Sequence, residues 1–334
     1  SRAGGHRIKH MKIRRLGGSG LALSEVTLGT LTWGRDTDEH EAADLLSIYL
    51  EHGGRTIDVP SDYMNPDFAG RSQVVGATLK QKIGRDEVAI IGHSGAMTGK
   101  DRGPVRGVGD LGPESSRRNL LRSLDHVLEG LETSFVDVWV IHGPRMGVTH
   151  QEIVEAAQTA VRSGRAFYIG FAGFDQWDFG ALSAMASAAG LPVAGFAGPL
   201  SLLAAGALSD QIPHAVEQNS GYIALAPLAH GALTGKYRHA TPPDSRAATA
   251  HLGKMLDPYL TPESDRVVEA VLRVAEGLDT PPSRVALAWV LSQRGVATAV
   301  TGPRTSRQLE TLLEGGVLHL QRELREVLTE IALP

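Results

Sequence analysis

Three features of this 334-residue sequence predict an α/β fold, specifically a closed (β/α)8 barrel with an N-terminal β-hairpin. Short apolar runs alternate with amphipathic helical segments about eight times, the pattern of parallel strands buried on both faces. No Gly-x-Gly-x-x-Gly follows the first strand, which counts against an open dinucleotide-binding sheet. Length does not force a second unit, because barrels of this kind often run to this size as one domain. Residues 11–334 are therefore read as a single barrel domain. Residues 1–10 lack the apolar centre of a signal peptide and read as an expression-tag remnant ahead of a natural start at Met11.

Met11–Leu16 and Leu21–Leu28 flank Gly17-Gly18-Ser19-Gly20, two β-type runs around a glycine turn. Leu28–Gly34 reads as the first interior strand. Residues 38–52 carry apolar positions at helical spacing and stop at Gly53-Gly54, a helix C-terminal signal. Arg55–Tyr63 carries the second strand, an apolar run that gives way to a polar loop. A helix over Gln73–Lys82 precedes strand Val88–Gly92, and a long helix from Ser115 or Ser116 to Leu131 precedes strand Val136–Ile141. Thr149-His150-Gln151-Glu152 has the form of a capping box, opening a helix that ends near Ser163-Gly164. Strand Ala166–Phe171, helix Phe179–Ala189, strand Val193–Ala197, helix Ile212–Asn219 and strand Tyr222–Ala226 continue the alternation. The polar stretch 236–262 is long for a connection and reads as a functional loop. Helices 263–277 and 281–293 then bracket strand Val296–Thr301. Thr305–Gln308 is a second capping box, and helix 321–332 closes the chain.

Composition excludes several classes of function. With 42% hydrophobic residues, 21% charged residues and a formal net charge of −4, the chain has no basic footprint for nucleic acid. No apolar run reaches the ~18 residues that span a bilayer. Zero cysteines remove disulfides and thiolate metal sites and fit a cytoplasmic protein. Oligomeric state leaves no mark on the sequence.

Several strands end in ionisable residues. Asp58 closes one apolar run with Tyr63 five residues beyond, His93 follows the run from Val88, and His142 follows the run from Val136. In a barrel, chemistry collects at strand C-termini, so Asp58, Tyr63, His93 and His142 are the candidate catalytic set. Two histidines and a carboxylate also suggest a metal site, but their wide separation in sequence makes no metal the expectation. A bland alternative is a buried, hydrogen-bonded polar cluster with no chemistry.

From Met11 onward the chain resembles the aldo-keto reductase family. The resemblance rests on Gly17–Leu31, Thr56-Ile57-Asp58 with Tyr63, Ser116–Leu124, Val136–His142, Pro227–Tyr237, Val285–Val290 and Gly302–Leu309. It implies a (β/α)8 barrel that binds NADP(H) across its C-terminal face and reduces a carbonyl-bearing small molecule. Asp58, Tyr63 and His142 fall on three members of the family's Asp-Tyr-Lys-His tetrad, and His93 stands where the lysine is expected. The resemblance further implies cofactor contacts at Gly29, Thr30, Leu228, Leu233, Gly235, Lys236, Gly302, Arg304, Thr305, Arg307 and Gln308. A substrate pocket would involve Trp33, Ala172, Gly173, Leu200 and Tyr237.

The departures matter chemically. An ammonium at position 93 would stabilise a phenolate; an imidazole does so only when charged, and Asp58 beside it would favour that charge. An Asp58–His93–Tyr63 relay is the resulting expectation. Ala172-Gly173, Ala197 and Leu200 replace groups that in the family hold and stack on the nicotinamide. Each lost hydrogen bond is worth roughly 0.5–1.5 kcal/mol. Three readings follow: a reductase with an altered relay, a redox-neutral acid/base enzyme such as a dehydratase, isomerase or cyclase, and a non-catalytic binding or regulatory subunit.

Overall fold

The chain enters the fold through its hairpin. In the computed structural model, which describes residues 11–61, 70–95, 115–143, 148–237 and 250–333, β1 (Ile13–Arg15) pairs antiparallel with β2 (Ala22–Ser24). Gly17 makes the turn at φ +56°, where a Cβ would strike the backbone of residues 219–221. Leu16 and Leu23 are fully buried in one cluster with Ile91, Val138, Val140 and Ile223. The hairpin thereby plugs the N-terminal mouth of the barrel.

Eight parallel strands close that barrel. They are β3 (Val26–Gly29), β4 (Thr56–Val59), β5 (Ala89–Ser94), β6 (Val136–His142), β7 (Ala166–Ala172), β8 (Val193–Pro199), β9 (Gly221–Leu225) and β10 (Val296–Thr301), with β10 returning to pair with β3. The first strand lies nearer the N-terminus than the sequence suggests. Only Glu25 separates it from the hairpin, and Thr30 ends it by donating both its amide (3.1 Å) and its hydroxyl (2.8 Å) to the Asp58 carbonyl. Residues 30–37 then fold into turns, with the Thr32 carbonyl accepting from the amides of Asp36 and Thr37.

Around the barrel run α1 (Glu39–Glu51), α2 (Arg71–Lys82), α3 (Arg117–Leu131), α4 (His150–Arg162), α5 (Gln176–Ala188), α6 (Gln211–Glu217), α7 (Ala250–Leu256), α8 (Pro262–Gly277), α9 (Pro282–Leu291), α10 (Ser306–Leu313) and α11 (Arg322–Ala332). Helix starts follow side-chain caps: Asp38, Ser116, Thr149, Asp175, Thr261 and Thr305 each accept from an amide in the first turn. Both capping boxes expected from the sequence form only by half. Glu152 turns away to accept from the Arg117 amide (2.9 Å), and Gln308 accepts from the Arg304 amide (2.8 Å), one residue before the cap. The polar stretch 236–262 is partly helical, since α7 and a 3-10 turn at Asp257–Tyr259 occupy its second half.

Strand alternation sorts the cores. On β6, Val138 and Val140 belong to the barrel interior, while Trp139 and Ile141 pack outward under the helices. The same parity sends Ile91 on β5 inward and Ile90 outward. His93, two residues beyond Ile91, and His142, two beyond Val140, therefore share the inward face at the C-terminal end. Among the described residues, no helix is long and apolar enough to cross a membrane.

Candidate active site

Asp58, His93 and His142 come together at the ends of β4, β5 and β6. Strand register produces a stagger: Asp58 pairs with Ile91, and His93 pairs with Val140, so each functional residue sits two positions further along than its neighbour's partner. His93 is the bridge. Its Nε2 lies 2.5 Å from Asp58 Oδ2, and its Nδ1 lies 2.9 Å from His142 Nε2. All three are buried, with exposures of 4%, 0% and 5% for Asp58, His93 and His142. Burial at such depth is offset in part by these two hydrogen bonds, which engage both ring nitrogens of His93.

Burial first, and repulsion from the His93 ring second, hold His142 well below the usual imidazole range. His142 is thus a neutral imidazole at physiological pH. Tyr63 lies outside the described residues. Both nitrogens of His93 are already engaged, so a phenol would have to displace Asp58 or His142 to bond either one. The geometry gives His93 a neighbour the sequence did not suggest, because the expected relay ran from His93 to a phenol. Among the described residues, no group of three or more acids and histidines is arranged to hold a metal.

A second feature opens at the ends of β9 and β10. A cavity of about 620 Å³ is lined by Leu228, Lys236, Gly302, Arg304, Thr305, Arg307 and Gln308, among others. Three cationic side chains and the start of α10 suit an anionic ligand such as a phosphate. Leu233 and Gly235 stand behind this wall: Leu233 is fully buried, and Gly235 faces Leu272. Gly29 and Thr30 lie beside β4 instead, Gly29 paired with Asp58 and Thr30 bonded to the Asp58 carbonyl.

Sequence reasoning left His230 and Gly231 unassigned, yet both line the cavity. Ala226, Ala229 and His230 adopt left-handed backbone at φ 51°, 47° and 55°, rare for residues with a Cβ. Gly231 follows at φ +99°, and a Cβ there would meet Lys236 Nζ at 3.3 Å. The only local signals are Gly231 and Gly235, since alanine and histidine do not announce a left-handed turn.

The proposed pocket residues divide. Ala172 is buried in the barrel interior, and Gly173 is exposed at φ +74°. Leu200 is fully buried in the helix-facing core, and Trp33 is only 2% exposed there, so neither turns an open face to the mouth. The Trp33 indole nitrogen has no hydrogen-bond partner among the described residues. Tyr237 is half-buried, with Lys236 Nζ 5.1 Å from its ring centroid.

Comparison with known proteins bears on the family of the chain. The sequence model of the family described as "Aldo/keto reductase family" matches residues 25–331. The chain is 28% identical over 329 residues to "Uncharacterized oxidoreductase YrpG" of Bacillus subtilis, covering 96% of each. It is 29% identical over 313 residues to "Putative voltage-gated potassium channel subunit beta" of Schizosaccharomyces pombe, covering 90% of this chain and 87% of that one.

Proposed function

We propose that this chain, which belongs to the aldo/keto reductase family, is an oxidoreductase that interconverts a carbonyl and an alcohol on a small molecule with NADP(H). The cavity at β9 and β10 carries this reading. Lys236, Arg304 and Arg307 line it together with the Thr305 hydroxyl, a donor set that fits the phosphates of a dinucleotide. The cofactor would supply two-electron oxidation or reduction. The chain's own residues would do the rest: His142 would orient the carbonyl oxygen, and Tyr63 would donate or remove the proton there. Titration of the full chain with NADPH and NADH, followed by nicotinamide fluorescence, tests the reading. Binding with turnover on a panel of aldehydes and ketones is expected; no binding at millimolar cofactor would overturn it.

A redox-neutral acid/base reaction beside a carbonyl is the second reading. One observation favours it: at the ends of β7 and β8, Ala172, Gly173 and Ala197 carry no side-chain donor, and Leu200 is sealed in the core. A nicotinamide ring would have only backbone groups there to hold it. Conversion of β-hydroxy carbonyl compounds without cofactor, followed by NMR, distinguishes the two.

A further inference from the structure

We infer that Asp58, His93 and His142 form a proton relay in which His142 exchanges a proton with the substrate and His93 is the positioning residue that passes it to Asp58. The inference rests on the redox-neutral reading of the strand-end cluster, in which His142 rather than Tyr63 exchanges the proton with the substrate, and is independent of any cofactor. Its basis is the pair of hydrogen bonds on one ring, 2.5 Å from His93 Nε2 to Asp58 Oδ2 and 2.9 Å from His93 Nδ1 to His142 Nε2. A lysine at position 93 could only donate from its ammonium. An imidazole donates at one nitrogen while accepting at the other, so it conducts a proton where an ammonium merely holds charge.

The protons balance as follows. In the resting arrangement Asp58 is a carboxylate, His93 carries hydrogen on Nε2, and His142 carries hydrogen on Nε2 with a lone pair on Nδ1. A substrate O–H or acidic C–H bond breaks, and its proton forms a bond to His142 Nδ1. The Nε2 proton of His142 moves to His93 Nδ1, and the added proton ends on the His93–Asp58 pair. That pair goes from one negative charge to none, and the substrate keeps the electron pair. His142 stays neutral throughout and only exchanges tautomers. Burial disfavours an imidazolium at this position, and the relay never requires one.

Asp58 reaches the relay from β4 and His93 from β5, while the register partner of His142 on β7 is the apolar Ala172. Among the described residues, no other ionisable side chain makes a hydrogen bond or ion pair with the three.

Nitrogen-15 NMR of the full chain with labelled histidine tests the relay without substrate or cofactor. As pH is raised and the three-residue cluster gives up one proton, His142 should switch from the Nδ1–H to the Nε2–H tautomer. It should not pass through an imidazolium. His93→Lys should lock His142 in the Nδ1–H form, because an ammonium can only donate to Nε2. His93→Gln, which keeps a neutral polar side chain, covers the case in which the lysine variant does not fold; it should abolish the switch. A His142 that titrates directly to imidazolium would overturn the relay. So would one whose tautomer switch survives in either variant. Lack of cofactor binding would leave this result intact and strike only the redox reading.

Discussion

The two ends of the barrel mouth solve opposite problems. Across β4 to β6, three polar side chains are buried and hydrogen-bonded through the His93 ring. Across β9 and β10, cationic side chains stand half-buried or exposed around a 620 Å³ cavity. Electrostatic interactions are strong and geometry-dependent in the first setting, and weak, screened and adaptable in the second. The buried end suits proton movement between fixed atoms. The open end suits capture of a charged ligand that must also leave.

The largest test of this contrast is removal of the bridge. His93→Ala leaves the Asp58 carboxylate and His142 Nε2 buried without their partner. Breaking a buried pair this way costs about 3–5 kcal/mol. Urea unfolding should register that loss, whereas a loss below about 1 kcal/mol, as found for exposed ion pairs, would break the comparison.

At the open end the expected effect falls on affinity. Arg304→Ala should weaken NADPH binding by about 1.5–3 kcal/mol, the worth of a hydrogen bond to a charged group, which is tenfold or more in Kd. Arg307→Ala should do less, because Arg307 is more exposed. Neither substitution should shift the unfolding midpoint appreciably. Added salt should weaken NADPH binding further and leave the stability cost of His93→Ala unchanged.

The two ends were also unequally legible in the sequence. Period-two alternation is enough to place His93 and His142 on the inward face, since each follows an interior residue by two positions. It does not show that their rings touch. That contact depends on the stagger between β5 and β6, which pairs His93 with Val140 and not with His142. The sequence places the first barrel strand too late because the apolar run continues through Leu31 to Trp33. Trp33 is buried from a turn, and burial alone does not distinguish a turn from a strand. At the cavity, Arg304 to Gln308 were readable as a helix start. His230 was not, because its left-handed backbone is imposed by surrounding structure against its own preference.

Linkage gives the next effect in size. His142 has a depressed imidazole pKa in the folded chain, so the native state resists a proton that the unfolded state accepts. Its contribution to stability is present above the unfolded histidine pKa of about 6.5 and is lost as pH falls below it toward the folded value. One such proton gives a slope of up to about 1.4 kcal/mol per pH unit. Urea unfolding from neutral pH downward should show this slope reduced by one proton in His142→Gln. Equal slopes in the two proteins would mean that His142 titrates as it does in the unfolded chain.

The smallest effects separate two helix starts of the same design. Thr149 caps α4 by accepting from the Glu152 amide at 3.2 Å, and the Glu152 carboxylate is spent elsewhere, on Arg117. Thr305 caps α10 by accepting from the Gln308 amide at 3.3 Å, but this end has further support. The Glu41 carboxylate accepts from the Ser306 amide and from its hydroxyl at 2.7 Å, and the Gln308 side chain accepts from the Arg304 amide at 2.8 Å. Loss of a capping hydroxyl typically costs ~1 kcal/mol. Thr149→Ala should therefore cost about that much, and Thr305→Ala only about half, because Glu41 still satisfies the first turn. Ligand binding should rank them the other way: Thr305 lines the cavity, so its loss should weaken NADPH binding, and loss of Thr149 should not. Calorimetric melting of both variants with and without NADPH reads stability and binding together. Equal shifts on adding cofactor would mean that the start of α10 takes no part in holding it.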